Sequence, residues 1–266
     1  VRADVKCLAT AEEVKSLDTM LAKDLGEGIQ NFSCDITNSW YIEAFFYGAG
    51  CNLYGEYGNN PDECDWNSDK GLAAVEYMIN MVNNPNYLEE ADSISFNMLK
   101  EGKLGAVCSG TWSYPDLYAA LGDKLGAVQL PMVEIGGEQK QMMSFAGSKA
   151  FGVNPNSANM KAATALAAWL GSAEMQELHF DLRNGEVVPC ATSLLTNEKF
   201  STNPAAVAQN DTIANTSKLQ PSIPEMSNYW ANAGAMGSSL ANGEINADNA
   251  AAKTEEWNAG LNGGGL

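Results

Sequence analysis

The chain has 266 residues, enough for one large domain or two smaller ones with a sizeable buried core. Its formal net charge is −18, from 33 acidic and 15 basic residues. Such a charge argues against partners that are themselves polyanions, namely nucleic acids and anionic membrane surfaces. No apolar run is long enough to predict a transmembrane helix. The first residues also lack the apolar stretch of a signal peptide, so we expect a chain that is mature, trimmed or incomplete.

The first part of the chain predicts helices that alternate with short strands. Thr10 and Glu13 have the spacing of a capping box, which predicts a helix that ends at Gly26 and Gly28. Apolar periodicity and turn residues then predict, in order, a strand over 31–36, a helix over 40–47, a helix from 72 to the break at 84–85, a helix over 93–100, and a strand over 104–108.

The second part of the chain continues this alternation, which indicates an α/β fold. The segment 144–203 is flanked by extended breaks and is predicted to be an excursion from the main body. The predicted elements are a helix over 114–121, a strand over 125–131, a hairpin tip within 136–140, a strand over 144–153, and helices over 158–170, 173–182, 204–216, 226–240 and 247–261.

Six cysteines are present, and none of them forms a CxxC pair, so no zinc site is predicted. Cys51 and Cys64 bracket a polar, glycine-rich loop. They could form a disulfide in an extracytoplasmic protein, or both could be free buried thiols. Cys34 and Cys108 lie in strand-like runs and are predicted to belong to the core.

Signals for catalysis are sparse. The single histidine, His179, lies in a predicted helix beside Phe180, and we interpret it as structural or as a surface residue. No nucleophile elbow, P-loop or dinucleotide-binding glycine motif is present. The acidic pairs 12–13 and 89–90 lie at helix starts, where the helix dipole explains them. We therefore predict a protein that is not an enzyme and has no cofactor or metal; a hydrolase that uses cleft carboxylates is the alternative.

Three tryptophans share a setting that is typical of a sugar site. Trp112 follows the strand 104–108 and the turn Ser109-Gly-Thr111, and Trp40 and Trp230 also follow polar turns. A flat indole stacks on the apolar C–H face of a pyranose, and neighbouring amides and hydroxyls bind its polar groups. The sequence therefore predicts that these three rings line one cleft.

The chain resembles the extracellular solute-binding proteins of bacterial ABC sugar importers, the maltose-binding-protein-like family. It looks closest to the lipoprotein-anchored members from Gram-positive gut Clostridia. The segments that carry the resemblance follow the order of the family: Glu13-Val-Lys-Ser-Leu-Asp-Thr-Met-Leu21, Asn38-Ser-Trp-Tyr41 with Gly48-Ala-Gly50, Phe96-Asn-Met-Leu-Lys-Glu-Gly-Lys-Leu-Gly-Ala-Val-Cys-Ser-Gly-Thr-Trp112, Phe145-Ala-Gly-Ser-Lys-Ala-Phe-Gly-Val-Asn154, and Pro221-Ser-Ile-Pro-Glu-Met-Ser-Asn-Tyr-Trp230.

The resemblance implies an α/β, periplasmic-binding-protein-like (type II) fold with two lobes that close on a sugar. Residues 1–143 and 204–266 would form a nearly complete C-terminal sugar-binding lobe, and 144–203 would be part of the N-terminal lobe. Family members begin with a βαβ half of the first lobe, and no segment here matches it. We therefore expect the N-terminal part of that lobe, together with its lipid-attachment cysteine, to be missing.

The resemblance also implies the site and the partners. Trp112, Trp230 and Trp40 would be the stacking platforms, Tyr41 would flank Trp40, and Asn38 would bind a sugar hydroxyl. Further contacts are expected from Tyr114, Tyr229 and Arg183, although a surface salt bridge is the alternative for Arg183. The ligand would be an oligosaccharide, with malto-oligosaccharides as the first choice.

The protein would be an extracellular, cell-surface monomer that delivers sugar to the permease subunits of an ABC importer. Besides the hydrolase, the alternative is a truncated remnant that does not transport and acts as an interaction module.

Overall fold

The structure is a computed structural model, and it describes residues 7–262. Helices and strands alternate along most of the chain, with the elements numbered here in chain order. The helices are α1 (Leu17–Ala22), α2 (Glu43–Ala49), α3 (Asp69–Val82), α4 (Asp92–Glu101), α5 (Tyr114–Leu121), α6 (Met160–Leu170), α7 (Ala173–Leu182), α8 (Glu198–Ser201), α9 (Pro204–Asn215), α10 (Met226–Ala241) and α11 (Ala250–Leu261). The strands are β1 (Gln30–Ser33), β2 (Tyr87–Leu88), β3 (Leu104–Val107), β4 (Met132–Ile135), β5 (Glu138–Gln141), β6 (Ser144–Ala146) and β7 (Ser217–Leu219).

A three-stranded parallel sheet lies at the centre of the main body. Its order is β2-β1-β3, with Phe32 opposite both Tyr87 and Ala106. Because β1 and β3 are parallel neighbours, the loops that follow them leave the same edge of the sheet, where ligands of α/β proteins commonly bind. These two loops contain Trp40 and Trp112.

The helices predicted over 72–82, 93–100, 114–121 and 226–240 are confirmed within a few residues by α3, α4, α5 and α10. The single helix predicted from Thr10 is wrong. The capping box forms, since the backbone N–H of Thr10 donates to Glu13 Oε2 at 2.8 Å. Ser16, however, is extended and forms a β-bridge with Met132, so the helical turn stops before it and α1 begins after it.

Two strand predictions also need correction. Residues 125–131 form no strand; the strand begins at 132 and pairs with β5 across the turn Gly136-Gly137, which confirms the predicted hairpin tip. The Gln141 side chain, instead of a neighbouring strand, donates to the Leu130 carbonyl at 2.6 Å. The strand predicted over 144–153 ends at Ala146, because its partner β7 ends at Leu219 and Pro221 follows two residues later.

The buried apolar residues form two separate clusters, a main core and a smaller core. The main core contains the central sheet, α2, α3 and α10, with large aromatic side chains at its centre. The smaller core consists of Phe180, Leu194, Phe200 and Ala206. It lies almost wholly within the segment predicted to be a partial lobe, and Ala206 lies just beyond the predicted boundary at 203.

The cysteines of the described region are free thiols. Cys34 and Cys108 are buried, as predicted for core residues. Cys51 and Cys64 are both buried and free, so they match the alternative of free buried thiols and not the disulfide. Burial raises the pKa of each thiol to about 12. No helix within residues 7–262 is long and apolar enough to span a membrane.

Candidate functional site

Trp112 lies just beyond the carboxyl end of β3, in the short 3-10 turn Thr111–Ser113. It is 46% exposed, an unusual amount for so large an apolar ring. The ring covers Gly110 so closely that a Cβ at that position would lie 2.1 Å from its Cζ3 atom. The Ser113 hydroxyl donates to the Gly110 carbonyl at 2.8 Å and closes the turn. The loop therefore holds an indole ring at the surface, next to the edge of the sheet.

A second group of rings forms what we call the aromatic wall, defined as Trp40, Trp230 and Phe145. The two indoles are stacked, with centroids 6.2 Å apart and an interplanar angle of 13°. Phe145 of β6 lies 5.9 Å from each of them. Both indoles are half-buried, so the wall packs on the main core and still has surface open to solvent.

The loop that carries Trp40 is held by backbone hydrogen bonds to polar side chains. Asn38 Oδ1 accepts the backbone N–H of Trp40 at 3.0 Å, and Asp35 Oδ1 accepts the N–H of Asn38 at 3.2 Å. The hydroxyl of Tyr229 donates to the Ser39 carbonyl at 2.6 Å. Since Tyr229 precedes Trp230 on α10, this bond ties the two indole-bearing segments together.

Helix α10 lies directly on this loop at a glycine. A Cβ at Gly237 would lie 1.9 Å from the Ile36 carbonyl oxygen, so only glycine permits this approach. The close approach at Gly237 was not predicted from the sequence. Gly237 is one of two glycines in α10, and the sequence does not reveal which backbone lies opposite it.

Asp92 is a candidate site residue that was not predicted from the sequence. It is the first residue of α4, and its carboxylate accepts the hydroxyl hydrogen of Tyr41 at 3.1 Å. Burial raises the pKa of Asp92, while the Tyr41 hydroxyl and the Trp112 side chain stabilise its charged form. Asp92 therefore joins the loop after β1 to the loop after β3. In sequence it resembles an ordinary first-turn acid, which hid this role.

Two predicted ligand contacts fit a supporting position better. Tyr229 is 0% exposed and its hydroxyl holds the Trp40 loop, whereas the direct sugar contact expected for it stays a prediction. Tyr41 is also buried, and its hydroxyl points to Asp92. Asn38 is exposed beside Trp40, but its side-chain oxygen is already an acceptor for the backbone, which leaves the amide N–H₂ to face solvent.

Tyr114 and Arg183 contact residues outside the aromatic wall. Tyr114 is buried, stacks on Tyr118 with centroids 5.2 Å apart, and packs against Gly185. Arg183 pairs with Glu186 at 2.5 Å while half of its side chain is exposed, which is the surface salt bridge named above as the alternative. Tyr114 thus packs against the turn that follows α7.

A half-buried carboxylate lies behind the Asp35 loop. Burial raises the pKa of Glu89 from 4.5 to about 7, the nearby charge of Asp35 adds to this rise, and the hydrogen bond from Tyr87 opposes it. The Tyr87 hydroxyl lies between Glu89 Oε2, at 2.5 Å, and the Cys34 carbonyl oxygen. The hydrogen bond from Tyr87 favours the charged form of Glu89, so burial, with the charge of Asp35, is what raises its pKa. Among the described residues no group of three or more His, Cys, Asp or Glu side chains could hold a metal ion.

Glu89 should make stability depend on pH. An acid whose pKa is higher in the folded state than in the unfolded state stabilises the fold when it is protonated, and this stability is lost as the pH rises from about 4.5 through about 7. We expect Glu89→Gln to gain free energy of unfolding relative to the wild type as the pH is raised from 5 to 8. Urea unfolding across that range measures the difference. Glu90→Gln removes a charge from the adjacent residue and serves as the control; a difference for Glu89→Gln that is constant with pH would contradict the prediction.

An α/β fold with aromatic rings at the carboxyl edge of its sheet is typical of proteins that bind a ligand there. The chain matches the family of bacterial extracellular solute-binding proteins over residues 3–209, and it belongs to that family. It is similar to a solved structure with acarbose, at 38% identity and a TM-score of 0.86, covering 97% of this chain and 66% of that chain. The α/β, type II periplasmic-binding-protein fold is thereby confirmed.

Two further relatives show how broad the likeness is. The maltodextrin-binding protein MalE1 from L. casei BL23, solved without ligand, is 26% identical with a TM-score of 0.82, over 96% of this chain and 66% of that one. The galactooligosaccharide-binding protein of Bacillus subtilis (strain 168) is 26% identical over 213 residues, which is 77% of this chain and 49% of that protein. The chain therefore spans about half to two thirds of the length of these relatives.

Proposed function

We propose that this protein is the sugar-binding component of a bacterial ABC importer and that its ligand is an oligosaccharide. The observation that carries the proposal is the exposed ring of Trp112 at the same edge of the sheet as the loop that bears Trp40 of the aromatic wall. Apolar rings beside carboxylates and amides suit a pyranose, which has apolar C–H faces and a rim of hydroxyls. Membership of the solute-binding family supports a role in uptake.

The binding mode that we propose is closure of two lobes on the sugar. Residues 1–143 and 204–266 form the sugar-binding lobe, and 144–203 belong to the opposite lobe. The separate small core around Phe180 and Phe200 supports this division. Strands β6 and β7 connect the two parts, so they are the natural site of a hinge, and the permease subunits would recognise the closed form.

The nature of the sugar is proposed from the relatives. A structure with acarbose and a maltodextrin-binding protein favour α-linked glucose units, whereas the Bacillus relative is named for galactooligosaccharides. We choose the malto-oligosaccharides because the structure with acarbose is also the relative with 38% identity. The protein would act as a monomer and without catalysis. It would be held at the cell surface by a lipid anchor that precedes residue 1, as in the Clostridial lipoproteins that the sequence resembles.

Titration calorimetry with a small set of sugars tests the function. We expect maltotriose and acarbose to bind, and cellotriose, which has the same glucose units in β-linkage, to bind at least tenfold more weakly. Chromatography of the recovered sugar should show intact maltotriose. Release of shorter sugars would favour the hydrolase, and no heat with any sugar would favour a module that does not transport.

A further inference from the structure

A close contact joins the turn that carries Trp112 to the segment with the smaller core. Tyr114 directly follows that turn and is 8% exposed. A Cβ at Gly185 would lie 3.2 Å from both Cδ1 and Cε1 of the Tyr114 ring. This separation is shorter than ordinary van der Waals contact, so the ring lies on the glycine backbone with no room for a side chain between them. In the division proposed above, Tyr114 belongs to the sugar-binding lobe and Gly185 to the opposite lobe.

The backbone around Gly185 is fixed to the smaller core. Asn184 and Gly185 have φ of +49° and +87°, and the second of these values is one that glycine adopts readily. The N–H of Gly185 donates to the carbonyl of Phe180, a residue of the smaller core, at 3.0 Å. Across the same turn, Arg183 Nε donates to Glu186 Oε2 at 3.0 Å. The surface that meets Tyr114 therefore moves with the smaller core.

Tyr114 is fixed in the same way to the main body. It is the first residue of α5, and α5 is joined to α4 by an ion pair of 2.8 Å between Asp116 and Lys100. Immediately before it, the Ser113 hydroxyl donates to the Gly110 carbonyl and closes the turn that carries Trp112. A displacement of the Tyr114 ring is therefore passed on to that turn.

We propose that Tyr114 is a positioning residue, whose contact with Gly185 couples the placement of the opposite lobe to the turn that carries Trp112. A sugar that stacks on Trp112 then favours the arrangement in which the two lobes touch, and that arrangement favours the sugar, because coupling between two equilibria is reciprocal. The effect on sugar affinity rests on the proposed function. The effect on the separation of the lobes does not require a ligand.

The chain contains two natural labelling sites that report this separation. Cys7 and Cys190 are exposed, whereas the other four cysteines are buried. The N–H of Cys190 donates to Gln176 Oε1 of α7 at 2.8 Å, so a label there follows the smaller core. Next to Cys7, the Leu8 carbonyl accepts Lys23 Nζ at 3.0 Å, which ties that end to the main body. Spin labels on the two exposed thiols therefore allow pulsed electron paramagnetic resonance to measure the distance between the two parts.

A glycine replacement with a matched control tests the contact. Gly185→Asn places a side chain against the Tyr114 ring, and asparagine tolerates the left-handed backbone better than most residues. Gly243→Asn is the control, since Gly243 has φ of +74° and nothing lies within 4 Å of a Cβ there. We expect Gly185→Asn to lengthen the label distance and to weaken maltotriose binding about tenfold, and Gly243→Asn to leave both as in the wild type.

Replacement of the ring completes the test. Tyr114→Phe keeps the atoms that touch Gly185 and should behave as the wild type in both measurements. In Tyr114→Ala the ring is gone, so adding Gly185→Asn should lengthen the label distance no further. If Tyr114→Ala fails to fold, the comparison of Gly185→Asn with Gly243→Asn decides alone.

The label distance is measured without sugar, so it tests the contact even if the wild type binds none. The proposal is overturned if Gly185→Asn keeps the wild-type distance, if Gly243→Asn lengthens it as much, or if Gly185→Asn has the same effect with and without the Tyr114 ring. A longer distance with unchanged affinity, in a protein whose wild type binds maltotriose, overturns it as well.

Discussion

Replacing Trp112 with alanine is expected to weaken maltotriose binding about thirty-fold, which corresponds to about 2 kcal/mol of binding free energy. The ring is 46% exposed at the edge of the sheet, so it has a surface to offer a pyranose, and truncating it removes that surface. The fold should hardly change, because the ring covers Gly110 and packs little into the main core. Calorimetry gives the affinity, and thermal unfolding gives the stability.

Trp169→Ala is the matched control for Trp112. Trp169 is 52% exposed on α6, in the segment with the smaller core, and it is not among the predicted sugar contacts. We expect its replacement to leave the affinity within about twofold. If Trp112→Ala binds maltotriose as tightly as the wild type, or if its unfolding transition collapses, then Trp112 is not a stacking platform.

Replacing Trp66 with alanine is expected to reduce the free energy of unfolding by about 3–5 kcal/mol, which is the largest effect on stability that we predict. Trp66 is 0% exposed at the centre of the main core. It stacks on Phe46 with centroids 4.0 Å apart, lies 5.0 Å from Trp257, and meets Tyr229 edge to face. Its removal would leave a cavity that rigid neighbours on three elements cannot fill.

Trp66→Phe is the milder control, since a phenyl ring can keep the stack on Phe46. Urea unfolding should therefore rank the wild type, Trp66→Phe and Trp66→Ala in decreasing order of stability. The indole N–H of Trp66 has no hydrogen-bond partner, so the loss reflects packing and not a broken hydrogen bond. A loss below about 1 kcal/mol for Trp66→Ala would show that this core is loosely packed.

Local signals in the sequence were sufficient to predict where several helices begin and end. Ser68 caps α3 by accepting the N–H of Gly71, and the break at Asn84-Pro85 follows the end of that helix. Gly102, with φ of +72°, ends α4 in the left-handed conformation that glycine favours. These signals act over a few residues, so a single sequence contains them in full.

Features that depend on distant partners were not predicted. Ser16 breaks the first helix because it pairs with Met132, which is more than a hundred residues away. The strand predicted at 125–131 was displaced to 132 because only the later residues face β5 across the turn. Apolar pattern alone does not determine which segments become neighbours.

In the candidate site, too, local features were predicted from the sequence and features that depend on distant partners were not. The exposed Trp112 and the half-buried Trp40 and Trp230 have turn signals before them, and these were visible in the sequence. The burial of Glu43 on α2 was not, because an acid at the start of a helix normally faces water. Its burial depends on Phe145, which β6 brings against α2. A burial of this kind emerges only once the packing is known.

The measurement that tests the central claim most directly is a crystal structure of the protein with maltotriose. We predict that one pyranose lies face-on to the Trp112 indole, in van der Waals contact, with a second sugar unit against the Trp40–Trp230 pair. A sugar bound elsewhere, with Trp112 open to solvent in the complex, would contradict the site proposed here.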